Sequence, residues 1–178
     1  METTTFPTAL GIFGLGWTDT GLARVLLPDD DEAALRERLG RGGAEAGDPP
    51  IWVETLMGRI EDYADGIAVD FSGVPLDLSG LPEFHRRAYQ LLLGYGWGQV
   101  TTYGEMARAL GDVGLSRAVG QAMSANPMPL VIPCHRVLAS NGKAGGFSAP
   151  GGAATKQKML ALEGVTIGAP PGQMNFGF

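Results

Sequence analysis

The sequence predicts an α/β unit followed by a mainly helical unit carrying a helix-turn-helix, divided as residues 1–76 and 77–178. Three observations lead there. Apolar residues fall in strand-like and mixed runs up to Phe71, then at helical spacing from Phe84 onward. Between them, Ser72 to Pro82 is polar and turn-rich, with Pro75, Gly80 and Pro82, as a linker would be. Charge also changes: residues 1–81 carry 5 Lys/Arg against 15 Asp/Glu, whereas residues 82–178 carry 8 against 4.

In the first unit, Gly21 to Leu27 reads as a strand ended by Pro28, and Gly11 to Trp17 can pair with it across Thr18-Asp19-Thr20. Asp31 to Leu39 is a short helix: acidic residues lead, then Ala34, Leu35 and Leu39 recur at helical spacing before Gly40. Arg41 to Pro50 is a Gly-rich loop, Ile51 to Tyr63 a second helix, and Ile67 to Phe71 a third strand. No chemical motif stands in this half, so its expected role is scaffolding.

In the second unit, Phe84, Ala88, Leu91 and Leu92 make one apolar helix face. Thr102 caps a helix through Leu110, with Glu105 completing a capping box and Met106, Ala107 and Leu110 facing inward. Gly111 to Leu115 is a turn, and Ser116 is expected to cap a helix through Ala125 with Val119, Ala122 and Met123 on its inner face. Two short helices joined by a glycine-containing turn are the helix-turn-helix pattern. The outer residues of the second helix are small (Gly120, Ser124, Ala125), which suits either close approach to a partner backbone or tight packing within the chain. Val137 to Gly146 reads as a hairpin turning at Asn141-Gly142, Phe147 to Gly152 as a loop, and Thr155 to Glu163 as a last helix bearing Met159, Leu160 and Leu162. Gly168 to Phe178 reads as a Pro/Gly-rich tail.

Composition narrows the class. The 178 residues are 44% hydrophobic and 18% charged, without an apolar run of membrane-spanning length. Met1 to Gly14 lacks the basic and apolar regions of a secretory signal. A single cysteine excludes an intramolecular disulfide and a cysteine-based zinc site, and fits a reducing compartment. A cytoplasmic protein is expected, nucleoid-associated if the cell is bacterial. The net charge of −6 argues against a polyanionic partner, but its asymmetry leaves the second half able to meet one.

That cysteine, Cys134, is the chemical centre of the sequence. A lone cysteine is often an inert apolar residue. Here His135 and Arg136 follow it and can favour thiolate, while Pro133 stiffens the backbone before it. Asn126-Pro127-Met128-Pro129 upstream is a rigid, extended stretch suited to lining a pocket.

Pro133-Cys134-His135-Arg136-Val137 does not stand alone. Phe84, Gly98-Gln99-Val100, Tyr103-Gly104, Arg117-Ala118-Val119-Gly120, Asn126-Pro127, Lys156 and Leu162-Glu163-Gly164 flank it in order. Together these resemble the O6-alkylguanine-DNA alkyltransferase family over about Phe84 to Gly164. The resemblance implies a ribonuclease H-like first domain and a winged helix-turn-helix-like second one. It also implies irreversible transfer of an alkyl group from O6-alkylguanine, or O4-alkylthymine, in double-stranded DNA to Cys134. By the same resemblance, His135 is the base acting through a water, Glu163 orients and charges it, and Tyr103 donates a proton to the leaving guanine. Asn126 ties the active-site turn to the helix-turn-helix. Arg117 fills the place of a flipped base in the minor groove, with Tyr103, Ala118 and Ser124 also at the DNA. Pro129, Val137, Phe147 and Ser148 form the substrate pocket. Neither cofactor nor metal is implied, no membrane is involved, and a monomer is expected.

Two positions depart from the family pattern. Phe147 stands where tyrosine is usual, and the loop to Lys156 is two residues longer, Ala149-Pro150 being the extra pair. Read from its residues alone, Asn126 also fits a simple helix end and Glu163 a surface helix terminus. Three other functions compete: a lesion-recognition protein that does not react, a helix-turn-helix regulator sensing through its cysteine, and a Cys–His hydrolase, of whose motifs nothing more is found.

Overall fold

A computed structural model describes residues 1–167, so the expected tail, Gly168 to Phe178, lies outside the described residues. The chain folds as two compact units. Met1–Leu81 joins with Pro127–Val131 to form one; among the described residues, Pro82–Asn126 joins with 132–167 to form the other. Among the described residues, no helix is long and apolar enough to cross a membrane.

The first unit is built on a four-stranded mixed sheet in the order β3-β2-β1-β4: β1 (Glu2–Thr8), β2 (Gly11–Trp17), β3 (Leu22–Leu26) and β4 (Glu45–Ala46). The expected pairing of β2 with β3 is present and antiparallel, with a register shift between Gly16 and Trp17. β1 was not anticipated, because Pro7 interrupts its threonine-rich run. It pairs along its whole length with β2, and Pro7 falls near the hairpin end opposite Ile12. The segment Arg41–Pro50, expected as loop throughout, contributes the two residues of β4 parallel to β1.

Helix α1 (Glu32–Leu39) is capped by the Asp31 carboxylate, which accepts from the Ala34 N–H. Leu35 and Leu39 of α1 lie against Gly14 of β2, where even a methyl group would be crowded. Helix α2 (Ile51–Ala64) buries Val53, Leu56, Ile60 and Tyr63. These join Phe6, Phe13, Leu15, Trp17, Leu22 and Val25 of the sheet in a buried apolar core.

The strand expected at Ile67–Phe71 is not formed. Gly66, at φ 79°, ends α2 with its N–H on the Tyr63 carbonyl, and the Ile67 N–H goes to Asp62. Asp70 then takes the Ser72 N–H and hydroxyl in a local turn. The segment is thus taken up by a helix cap at its start and a local turn at its end.

The second unit contains α3 (Glu83–Leu92), α4 (Tyr103–Ala109), α5 (Ser116–Ser124) and α6 (Gly152–Leu162), with β5 (Thr101–Thr102) pairing in parallel with β6 (Val137–Leu138). The α4 capping box is complete: Thr102 accepts the Glu105 N–H, and the Glu105 carboxylate accepts the Thr102 N–H. Helix α3 braces the helix-turn-helix by side chains rather than apolar contact alone. Its Tyr89 hydroxyl donates to the Ala122 carbonyl at 2.7 Å, and Arg87 to the Leu110 carbonyl at 3.2 Å. The buried face of α3 is Ala88, Tyr89 and Leu92, with Leu91 only half-buried rather than inward as expected.

Three further expectations are corrected. Ser116 does not cap α5: a 3₁₀ turn at Val113–Leu115 runs straight into the helix, and the Ser116 hydroxyl donates back to the Val113 carbonyl. Val137–Gly146 is not a hairpin. The turn at Asn141-Gly142 forms, but β6 finds its partner in β5, and no second strand follows Lys143. Helix α6 begins at Gly152 rather than Thr155, after Gly151 takes a left-handed conformation (φ 76°).

Candidate active site

Cys134 sits where three short-range constraints meet. Pro133, at φ −81° and ψ 62°, makes an inverse γ-turn closed by the Cys134 N–H on the Ile132 carbonyl at 2.8 Å. A 3₁₀ turn over Cys134–Arg136 follows, closed by the Arg136 N–H on Pro133 at 2.9 Å, and then β6 begins. Every residue from Val131 to Leu138 is buried, and Cys134 itself is 4% exposed. The ladder of β5 with β6 matches Thr101 to Val137 and Thr102 to Leu138. Tyr103 follows at once on α4, so two paired residues tie the cysteine turn to the tyrosine.

Asn126, just past α5, donates from Nδ2 to the Ile132 carbonyl at 2.8 Å, and its side chain also hydrogen-bonds Cys134. It therefore links the end of α5 to the cysteine turn. Burial pushes the Cys134 thiol up, opposed by Asn126, by the charge of Lys156 and by backbone N–H groups. The charge that favours the thiolate is that of Lys156, not of His135 or Arg136 as expected from sequence, and desolvation outweighs it, so the resting thiol is protonated.

Both oxygens of Glu163, at the end of α6, are fully engaged. His135 Nε2 lies 2.7 Å from Oε1; Arg136 donates from Nε to Oε2 at 2.8 Å and from Nη2 to Oε1 at 3.0 Å. The Gly98 N–H adds a further bond to Oε2 at 3.1 Å, and Arg136 also donates to the Tyr95 carbonyl. Burial raises the Glu163 carboxyl, but hydrogen bonds and charge from His135 and Arg136 prevail and hold it at about 2. Burial pushes His135 down despite Glu163, so the imidazole rests neutral; Glu163 orients it without leaving it charged. An ionised Glu163 requires the proton on Nε2, which leaves Nδ1 as the nitrogen with a lone pair.

The remaining sequence-predicted residues divide. Tyr103 is half-buried, its hydroxyl pushed up by burial and by the Cys134 charge. It lines an open groove of about 680 Å³ with Arg117, Gly120, Gln121, Ser124, Ala125 and Gly146. Three anticipated residues, Tyr103, Arg117 and Ser124, are thus brought together. A Cβ on Gly120 would meet nothing within 4 Å, so packing does not demand its smallness. Ala118 is half-buried on α5 and does not line the groove. Val137 is buried, Phe147 half-buried and Ser148 exposed in the loop before α6; Pro129 is half-buried in the Pro127–Val131 segment of the first unit.

Two residues of the site had no role assigned from sequence. In the sequence Arg136 reads as charge near the thiol and Lys156 as a matching motif residue, yet both are buried and bonded. Gln121 joins them as a groove residue that nothing in the sequence singled out.

Comparison with known proteins places this geometry. A family model described as "6-O-methylguanine DNA methyltransferase, DNA binding domain" matches residues 83–165. The methylated-DNA–protein-cysteine methyltransferase of Methanothermobacter thermautotrophicus is 34% identical over 154 residues, covering 86% of this chain and 80% of that protein. Its counterpart from Metallosphaera sedula is 42% identical over 115 residues, covering 65% and 70%. The crystal structure of Mycobacterium tuberculosis OGT in complex with DNA superposes with a TM-score of 0.76 at 27% identity, covering 92% of each chain. The chain belongs to the methylated-DNA–protein-cysteine methyltransferase family, the O6-alkylguanine-DNA alkyltransferases.

Proposed function

We propose that this protein reverses alkylation damage by taking the alkyl group from O6 of guanine in DNA onto the sulfur of Cys134. The observation that carries the reading is the buried arrangement of Cys134, His135 and Arg136 on one turn with Glu163 at the end of α6, around the one cysteine of the chain. Neutral His135 takes the thiol proton through Nδ1, by way of a water, while Glu163 stabilises the imidazolium that forms. The thiolate attacks the alkyl carbon in line, the carbon–O6 bond breaks, and its electron pair stays on the guanine. Tyr103, its hydroxyl protonated at rest, supplies the proton that neutralises the departing base. A thioether is left that no group here can cleave, so each molecule reacts once.

DNA contact is assigned to α5. A nucleotide whose O6 is to be attacked must leave the stack. Arg117 projects from the first turn of α5 beside the groove to occupy the vacated place, and Gly120, Ser124 and Ala125 allow the helix close to a minor groove.

The test is mass spectrometry after incubation with a duplex bearing one O6-methylguanine. Gain of one methyl on the Cys134 peptide, absent in Cys134→Ser, is expected. Unchanged mass with retained lesion-dependent binding would replace the reading with that of a non-reactive recognition protein.

A further inference from the structure

Lys156, on the first turns of α6, is completely buried, and the alkyl-transfer chemistry above does not use it. A buried ammonium is tolerated only where its N–H groups find acceptors. Nζ donates to the Val137 carbonyl at 2.6 Å, reaches the Gly146 carbonyl at 3.5 Å and lies 5.7 Å from the Tyr103 ring centroid, within cation–π range. These contacts fall on three separate parts of the site. Val137 follows the cysteine turn, Gly146 begins the loop to α6, and Tyr103 begins α4.

The loop is also closed on itself. The Thr155 hydroxyl donates to the Pro150 carbonyl at 2.6 Å, and the Gly152 N–H to Ala149 at 2.9 Å. Residues 146 to 156 therefore form a ring whose clasp is the lysine, and the extra pair Ala149-Pro150 lies inside that clasp.

We propose that Lys156 is a positioning residue for alkyl transfer: its ammonium clasps the loop from Gly146 to Gly152 onto the cysteine turn and sets a positive charge beside the Cys134 sulfur and the Tyr103 ring. The proposal rests on Cys134 being the alkyl acceptor. The titratable groups that feel the charge are Cys134 and His135 on the turn and Tyr103 on α4. It favours the thiolate and disfavours a resting proton on His135, so the base stays neutral until it is used. Burial brings Lys156 down to about 8, against the pull of Cys134, and it remains a cation at neutral pH.

Lys156→Met keeps the apolar stem and removes the ammonium; Lys156→Arg keeps the charge. Two readouts are taken across the neutral and alkaline range on the full chain. One is single-turnover methyl transfer from a duplex bearing O6-methylguanine; the other is the rate at which iodoacetamide alkylates Cys134, which needs no DNA. Below pH 8, where Lys156 is charged, Lys156→Met is expected to slow both reactions roughly tenfold, the equivalent of one unit in the thiol's pKa, and the gap is expected to close as pH rises past 8. Lys156→Arg, which keeps its charge, should hold most of the unaltered rate at pH 7. A folded Lys156→Met that is not slowed at pH 7, or is slowed equally at every pH, reduces the lysine to packing and overturns the proposal. Should that variant fail to fold, Lys156→Gln takes its place, and a slowing that is absent or independent of pH there has the same force. An unaltered chain that gains no methyl on Cys134 refutes the acceptor reading instead, while the iodoacetamide profile still judges the lysine.

Discussion

His135 and Arg136 are neighbours in sequence and share one carboxylate, Glu163, through both of its oxygens. Under the proposed function, Glu163 serves chemistry and stability together. In Glu163→Gln the carboxamide cannot stabilise an imidazolium, and Arg136 is left buried without its counter-charge. Alkyl transfer in single turnover is expected to slow by roughly 10²–10⁴-fold, the usual range for a lost acid–base contribution. Denaturant unfolding should register a loss of about 3–5 kcal/mol for the unpaired guanidinium. Retained speed in a destabilised variant would reduce Glu163 to a structural anchor. At this scale the nucleophile was legible in the sequence, because one cysteine between proline and histidine is a rare setting. The burial of Arg136 and Lys156 was not legible: a basic residue in a string of letters carries no sign of whether it faces water. Both had been counted as cations available to a polyanion, whereas both are spent inside the site.

Among the elements, α5 has the clearest division of labour. Val119, Ala122 and Met123 are buried, while Arg117, Gln121 and Ser124 line the groove on its other side. If Arg117 occupies the place of the extruded base, Arg117→Ala should slow repair of duplex DNA far more than reaction with free O6-benzylguanine, which needs no extrusion. Equal slowing on the two substrates would remove Arg117 from that role. Helices with strong local signals were read correctly from sequence, the α4 capping box above all. Errors arose where local patterns competed with pairing decided elsewhere. Ile67–Phe71 has strand composition, but the Gly66 cap of α2 had already claimed its first N–H. Val137 and Leu138 were given to a hairpin through Asn141-Gly142, although their partner is Thr101–Thr102, far earlier in the chain. A nearby turn is visible in a sequence, and a distant ladder is not.

For the molecule as a whole, the buried relay sets an acid limit. The folded carboxyl of Glu163 titrates at about 2 against an ordinary 4.5, so its contribution is complete above 4.5 and is lost as pH falls from there toward 2. That shift corresponds to about 3 kcal/mol. His135 acts in the same direction from a higher pH: buried neutral, it resists a proton that the unfolded chain accepts below 6.5, so stability declines as acid is added from that point. Unfolding midpoints should therefore fall in two stages below neutral pH. Glu163→Gln should lose the lower stage, and retention of both stages in that variant would refute the assignment. The parallel pairing of Thr101–Thr102 with Val137–Leu138 has a practical meaning here. It works as a gauge: the separation of sulfur from phenol is set by a ladder that does not run through residues 147–151. Loop libraries at those five positions can thus be screened for bulkier adducts while the reacting pair stays in register.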